Sequence, residues 1–280
     1  MRIKALIFDI YGTILIPFDP KAKTISDPGK TKNIDNGLKK LLEILKEEFK
    51  IHLNDSEQYI SYLKEKYFKL IEFLQNKSKE KKKEIVSPEI IIEELWKILL
   101  KEEFNLNISL DKLSEIALLV EKEANPTIIE RDTYKTLIWL KNDLKNKGVK
   151  IGVLSNAQSY TPKIIEENLF KYSSKKINFF DIFDKDICLF SYKLLCSKPD
   201  PIVYHTLIDK LSEYNIPPEN TLFIGNDGIN DIKIPKEFGF KTLFINKVPA
   251  NIDEAKKYMD FEGEDISILL SLYEKGSITI

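Results

Sequence analysis

Three short apolar runs in this 280-residue chain each end on residues that can do chemistry. Ala5-Leu6-Ile7-Phe8 delivers a single carboxylate, Asp9, into a turn made by Gly12 and Thr13. Lys150-Ile151-Gly152-Val153-Leu154 ends in Ser155 and Asn156, and Thr221-Leu222-Phe223-Ile224-Gly225 ends in Asn226 and Asp227, with Asp231 four residues further on. Runs this short and apolar, with turn residues close behind, predict strands buried on both faces. Open α/β sheets hold ligands at the carboxyl ends of parallel strands. The pattern therefore predicts one polar site built from three strand ends, with Asp9 at its centre. Taken singly, each residue has a plainer use: Asp9 as a turn aspartate, Ser155 and Asn156 as helix caps, Asp231 as a helix-start charge.

The elements that must position these residues follow from periodicity. The polar stretch 17–36, broken by Pro17, Pro20, Pro28 and Gly29, reads as a loop leaving the sheet. Leu38, Leu41, Leu42, Leu45 and Phe49 then share one helical face, and a long helix is expected from Asp55 through Tyr59, Tyr62, Leu63, Tyr67, Leu70 and Leu74. Pro88 has the place of a first-turn proline ahead of Ile91, Leu95, Trp96 and Leu99. A further helix spans 111–125. From 26 to 125 no strand is expected, so an all-helical segment is inserted after the first strand. From Arg131 the α/β alternation resumes, with an irregular Phe-rich stretch around Phe179 to Phe190, a strand at 241–245 and closing helices at 254–258 and 266–273. The fold class is α/β, a doubly wound parallel sheet.

Composition bounds the function. A hydrophobic fraction of 43% is ample for a core, and a formal net charge of −1 with mixed lysines and acids gives no nucleic-acid footprint. No run approaches the roughly 20 apolar residues that span a bilayer. The expected partner is a small molecule rather than a nucleic acid or a membrane, the expected location is cytoplasmic, and the oligomeric state is left open. Cys188 and Cys196 lack metal-ligand spacing and read as reduced, buried thiols. His52 and His205 read as ordinary surface or half-buried residues.

Four ordered segments, Asp9-Ile-Tyr-Gly-Thr13, Ser155-Asn156, Lys198-Pro199 and Gly225-Asn-Asp-Gly-Ile-Asn-Asp231, resemble the motifs of the haloacid dehalogenase-like (HAD) hydrolase superfamily. The resemblance implies a Rossmann-like core at 1–16 and 126–280 with a helical cap at 17–125. It implies that Asp9 is the nucleophile of a covalent aspartyl intermediate, which divides one hard displacement into two easier ones. Gly12, Thr13, Ser155 and Asn156 would hold the transferring group, and Lys198 would stabilise developing charge. Mg²⁺ would bind Asp9, the backbone carbonyl of Tyr11 and the cluster after Gly225, with Asn226, Asp227 and Asp231 as candidates.

Two departures from the family pattern bear on the chemistry. Asn226 stands where the first acid of the fourth motif is usual, with Asp227 beside it. Tyr11 stands where the family's phosphatases carry an aspartate that protonates the leaving oxygen and then activates water. Loss of such a group costs roughly 10²–10⁴ in rate. Tyrosine at this position resembles the family's 2-haloacid dehalogenases, which need no metal and receive the halide on an arginine early in the cap. No arginine lies between Arg2 and Arg131. The reading is a Mg²⁺-dependent phosphatase of a small phosphorylated metabolite. The alternatives are a dehalogenase-type hydrolase and a catalytically weakened fold used for binding.

Overall fold

The computed structural model describes every residue except 1, 20, 23, 32, 33, 52, 54, 55, 174 and 280. The first strand, β1 (Ala5–Phe8), is buried on both faces: Leu6 and Phe8 enter one apolar cluster, Ala5 and Ile7 another. After a two-residue strand β2 (Ile16–Pro17) the chain leaves for four helices, α1 (Asp35–Phe49), α2 (Glu57–Lys81), α3 (Ile92–Phe104) and α4 (Leu110–Ala124). It returns through β3 (Thr127–Ile128), which pairs antiparallel with β2 and ties the outgoing and returning chain together.

Most of the apolar positions predicted by spacing are buried, but Tyr62, predicted on the same face of α2, is 43% exposed. Leu38, Leu41 and Leu45 of α1, Leu63, Tyr67 and Leu74 of α2, and Leu95, Trp96 and Leu99 of α3 join the same cluster as Phe8, Ile10 and Ile14. The helical insertion thus shares a continuous apolar core with one face of the sheet. Ser56 caps α2 by accepting from the Tyr59 N–H, while Asp55, its expected start, and His52 lie outside the described residues. Pro88 is a correction. It forms an antiparallel bridge to Cys196, and α3 begins only at Ile92. The backbone around it is already engaged, because Val86 and Ser87 donate to the Asp200 carboxylate and Glu89 donates to the Leu195 carbonyl.

The remaining elements are α5 (Arg131–Trp139), β4 (Lys150–Ser155), α6 (Thr161–Phe170), α7 (Phe179–Ile182), β5 (Cys188–Phe190), α8 (Ser191–Leu194) and α9 (Pro201–Ser212), then β6 (Thr221–Gly225), α10 (Ile234–Glu237), β7 (Lys241–Ile245), α11 (Ile252–Tyr258), β8 (Phe261–Gly263) and α12 (Ile268–Glu274). Six strands form one parallel sheet in the order β5-β4-β1-β6-β7-β8. The chain fills one side from β1 through β4 to β5, then crosses back and fills the other. The order reverses beside β1, which is where a doubly wound sheet opens a crevice. The Phe-rich stretch expected to be irregular contains α7 and β5. Cys188 and Cys196 are free and buried, and burial pushes their thiols up to about 12 and about 11. His205 is exposed, its ring edge-on to Phe238. Among the described residues no helix is long and apolar enough to cross a membrane.

Candidate active site

Asp9 follows β1 directly, and its N–H donates to the Ile224 carbonyl of β6 at 2.8 Å, so the sheet ladder itself fixes where the carboxylate emerges. Behind it the chain turns at Gly12, whose φ is 93°. A Cβ there would lie 2.2 Å from the Asn226 amide nitrogen, so only glycine lets this turn close against the end of β6. Gly225 serves a similar purpose, since a Cβ on it would meet the Asp231 carboxylate at 2.3 Å.

The three strand ends do converge. Asp9 Oδ1 accepts from Ser155 Oγ at 3.0 Å and from Lys198 Nζ at 2.8 Å, and Lys198 Nζ also donates to Asp231 Oδ1 at 2.6 Å. Asp9, Lys198 and Asp231 are 5%, 5% and 1% exposed. Asn156 locks this lysine in place through its backbone, accepting from the Lys198 N–H at 2.8 Å and donating to its carbonyl at 3.3 Å. Desolvation works against the Lys198 charge, but the carboxylates of Asp231 and Asp9 overcome it and raise its pKa, so the lysine stays protonated. Desolvation raises the pKa of Asp231, with Lys198 opposing and Asp9 adding to the rise.

Asp9 Oδ2 is less committed, with Thr13 Oγ1 at 3.5 Å, and Asp9 lines a cleft of about 90 Å³. The cleft is lined by Asp9, Tyr11, Asp27, Asn156, Lys198, Asn226, Asp227 and Asp231 together with Ile25, Asn230 and Ala250. Asp227 proves to be the cap of the helical segment Gly228–Lys233 that runs into α10: its Oδ1 accepts from the N–H groups of Ile229 and Asn230 at 2.8 and 3.0 Å. Asp231, for which helix initiation was the plainer reading, instead reaches back to Lys198. Asn226 donates through Nδ2 to the Val248 carbonyl at 2.6 Å, which leaves Oδ1 as its remaining acceptor.

Tyr11 carries its backbone carbonyl at the turn, but its hydroxyl turns away to Thr161 Oγ1 at 3.1 Å. Burial, and then the charge of Glu121, push its pKa well above the usual tyrosine value. It therefore stays protonated and cannot serve as a base. For a metal, the described residues form no ready cage of three acidic, histidine or cysteine side chains. Mg²⁺ is commonly held by one or two carboxylates, with substrate phosphate and water completing the shell. The Asp9 carboxylate, the Tyr11 carbonyl and Asn226 Oδ1 fit that pattern, with one formal charge between them.

A family model for haloacid dehalogenase-like hydrolases matches residues 3–239. The chain belongs to that family. Among solved structures, this haloacid dehalogenase-like hydrolase is similar to a 2-haloacid dehalogenase from Pseudomonas syringae pv. Tomato DC3000, with a TM-score of 0.60 and 17% identity over 98% of this chain and 99% of that one. It is also similar to a HAD phosphatase from Thermococcus onnurineus, with a TM-score of 0.51 and 19% identity over 96% and 97% of the two chains. At such identities the likeness is one of fold. The curated Rhythmically expressed gene 2 protein of Drosophila melanogaster is 28% identical over 139 residues, 48% of this chain and 47% of that protein, so the match spans about half of each.

One acidic lining residue of this hydrolase has no counterpart in the sequence reading. Asp27 lies in the stretch read only as a loop, and its Oδ2 accepts from Asn156 Nδ2 at 3.2 Å. The signal available was Asp27-Pro28-Gly29, a turn sequence that gives no hint of where its carboxylate points.

Proposed function

We propose that this hydrolase is a Mg²⁺-dependent phosphatase of a small phosphorylated metabolite, acting through an intermediate on Asp9. The lining of the cleft carries the proposal. Even with Asp27 left out, three carboxylates, Asp9, Asp227 and Asp231, line the cleft with one lysine, and that lysine is already shared between two of them. A halide or other lone anion would need an uncommitted cation there. A phosphate accompanied by a hard divalent cation meets the excess negative charge instead, and the ion would lower the charge that an incoming carboxylate has to approach.

In this scheme Ser155 and Lys198 hold Asp9 Oδ1, leaving Oδ2 to attack phosphorus. Lys198 stays charged throughout and offsets negative charge on the equatorial oxygens. Asp9, the Tyr11 carbonyl and Asn226 would hold the Mg²⁺, while Asp231 fixes Lys198. The narrow cleft suits a small substrate, with residues 17–125 acting as the cap over it, and neither nucleic acid nor membrane enters the scheme.

The test is hydrolysis of p-nitrophenyl phosphate by the wild type and Asp9→Asn, each with Mg²⁺ and with EDTA. Turnover is expected only in the wild type with Mg²⁺. Equal turnover in all four arms would refute the scheme. Tyr11 is the one observation favouring displacement of halide. Release of chloride from 2-chloropropionate in EDTA would establish that reading in place of the first.

A further inference from the structure

We infer that Asp27, on the loop between β2 and α1, is the catalytic acid and base of the Asp9 cleft, supplying the proton transfers that position 11 cannot. The inference rests on the phosphatase reading and goes beyond it by naming the residue that serves the leaving oxygen and the attacking water.

Placement comes first. Asp27 and Asp9 line the same small cleft, and a chain of contacts connects them: Asp27 Oδ2 to Asn156, Asn156 to the Lys198 backbone, and Lys198 Nζ to Asp9. The carboxylate is not consumed by the local turn. The turn is closed by the Asp27 backbone carbonyl, which accepts from the Lys30 N–H at 3.1 Å. Among the described residues, Asn156 is the donor to this carboxylate, and none donates to its Oδ1.

Residues 26–30 are also tied to their surroundings, and a proton donor must be positioned. Gly29 donates its N–H to Glu121 at 2.9 Å and accepts on its carbonyl from the Tyr67 hydroxyl at 2.6 Å. Asn125 Nδ2 donates to the Ser26 carbonyl at 3.1 Å, and Lys30 Nζ pairs with buried Glu89 at 2.7 Å. Helices α2 and α4 and the segment before α3 thus grip the residues on both sides of Asp27. The residue as a whole is exposed, which gives it access to solvent protons. Its carboxyl is nonetheless crowded, and desolvation raises its pKa. Lys30 opposes that rise, Glu89 and Asp9 add to it, and Lys198 opposes it. Tyr11 and Glu121 also face it. A carboxyl in this setting holds a proton at higher pH than an ordinary aspartate.

The steps balance. Asp9 Oδ2 forms a bond to phosphorus as the bond from phosphorus to the ester oxygen breaks, and the Asp27 proton passes to that oxygen to give the free alcohol. Asp27, now a carboxylate, then takes a proton from water as the water oxygen bonds to phosphorus. The bond from phosphorus to Asp9 breaks, releasing hydrogen phosphate and regenerating the Asp9 carboxylate and the Asp27 acid.

The experiment is rapid-mixing kinetics with p-nitrophenyl phosphate and Mg²⁺ on wild type, Asp27→Asn, Asp27→Glu and Asp9→Asn. Nitrophenolate leaves without a proton, so Asp27→Asn should still release it in a burst of about one equivalent per enzyme. Steady turnover should then fall about 10²–10⁴-fold, because water lacks its base. Asp27→Glu should recover part of that turnover. Wild-type turnover in Asp27→Asn, or loss of its burst along with its turnover, overturns the assignment. A wild type with no Asp9-dependent turnover at all refutes the phosphatase reading instead.

Discussion

Replacing Lys198 with methionine tests the central ion pair. Methionine keeps much of the aliphatic length and removes the ammonium, whose Nζ lies 5.9 Å from the Phe223 ring centroid and donates to Asp9 and Asp231. Asp9 and Asp231 would be left 5% and 1% exposed with no cation between them. Breaking a buried pair by removing one partner costs about 3–5 kcal/mol, because the stranded charge keeps its desolvation penalty. Near the large-domain end of the scaling, about 2 °C per kcal/mol, the melting temperature should fall by about 6–10 °C at pH 8. The sign of the pH dependence follows from linkage. An aspartate whose folded pKa is raised binds protons more tightly folded than unfolded, so it favours folding at low pH and loses that contribution as pH rises through the folded pKa. Desolvation already raises Asp231 in the wild type, and loss of Lys198 raises it further. The Lys198→Met deficit should therefore be smaller at pH 5 than at pH 8. Differential scanning fluorimetry of both proteins across that range measures it. A deficit below about 2 °C at pH 8, or one that deepens toward pH 5, would refute the description of Lys198 as the counterion of two buried carboxylates.

Three further substitutions probe the surrounding geometry. Asn226→Asp should destabilise the metal-free protein by about 1–3 kcal/mol, since it replaces the donor to the Val248 carbonyl with an acceptor. It should also enlarge the thermal shift produced by added Mg²⁺, and a shift no larger than in the wild type would remove Asn226 from the donor set. Gly12→Ala should lose about 1–3 kcal/mol in chemical denaturation, because φ is 93° and the new Cβ meets Asn226; an unchanged denaturation midpoint would show that the turn relaxes freely. Glu121→Gln removes a carboxylate that accepts from Gly29 N–H, the Tyr160 hydroxyl and Asn125 Nδ2. It should cost about 1–3 kcal/mol and slow p-nitrophenyl phosphate turnover by loosening the loop under Asp27; wild-type stability would contradict that role.

What the sequence made legible was set by period and by local chemistry. β1, β4, β6 and β7 are continuous apolar runs, and the central ones carry site residues at their ends, so both the sheet and the convergence on Asp9 could be read before any coordinates. Strands β5 and β8, each three residues long, offered too few positions to show a period. Pro88 fitted a helix start by type, and only the long-range bonds of residues 86–89 to Asp200 and Leu195 decided otherwise.

The site divides the same way. Asn226, Asp227 and Asp231 were visible as a cluster, but spacing assigns no hydrogen bonds, and the cap role fell to Asp227 rather than Asp231. Lys198 stood out only through the proline that follows it, although burial between two carboxylates is what distinguishes it physically from the other described lysines. Asp27 lies furthest from what local reading can reach. Its position depends on Glu121, Tyr67, Glu89 and Asn156, partners 38 to 129 residues away. A functional carboxylate delivered by such a loop leaves no periodic trace. The tyrosine at position 11 marks a missing group in the sequence, whereas the candidate to replace it is visible only where the helical insertion grips the loop against the sheet.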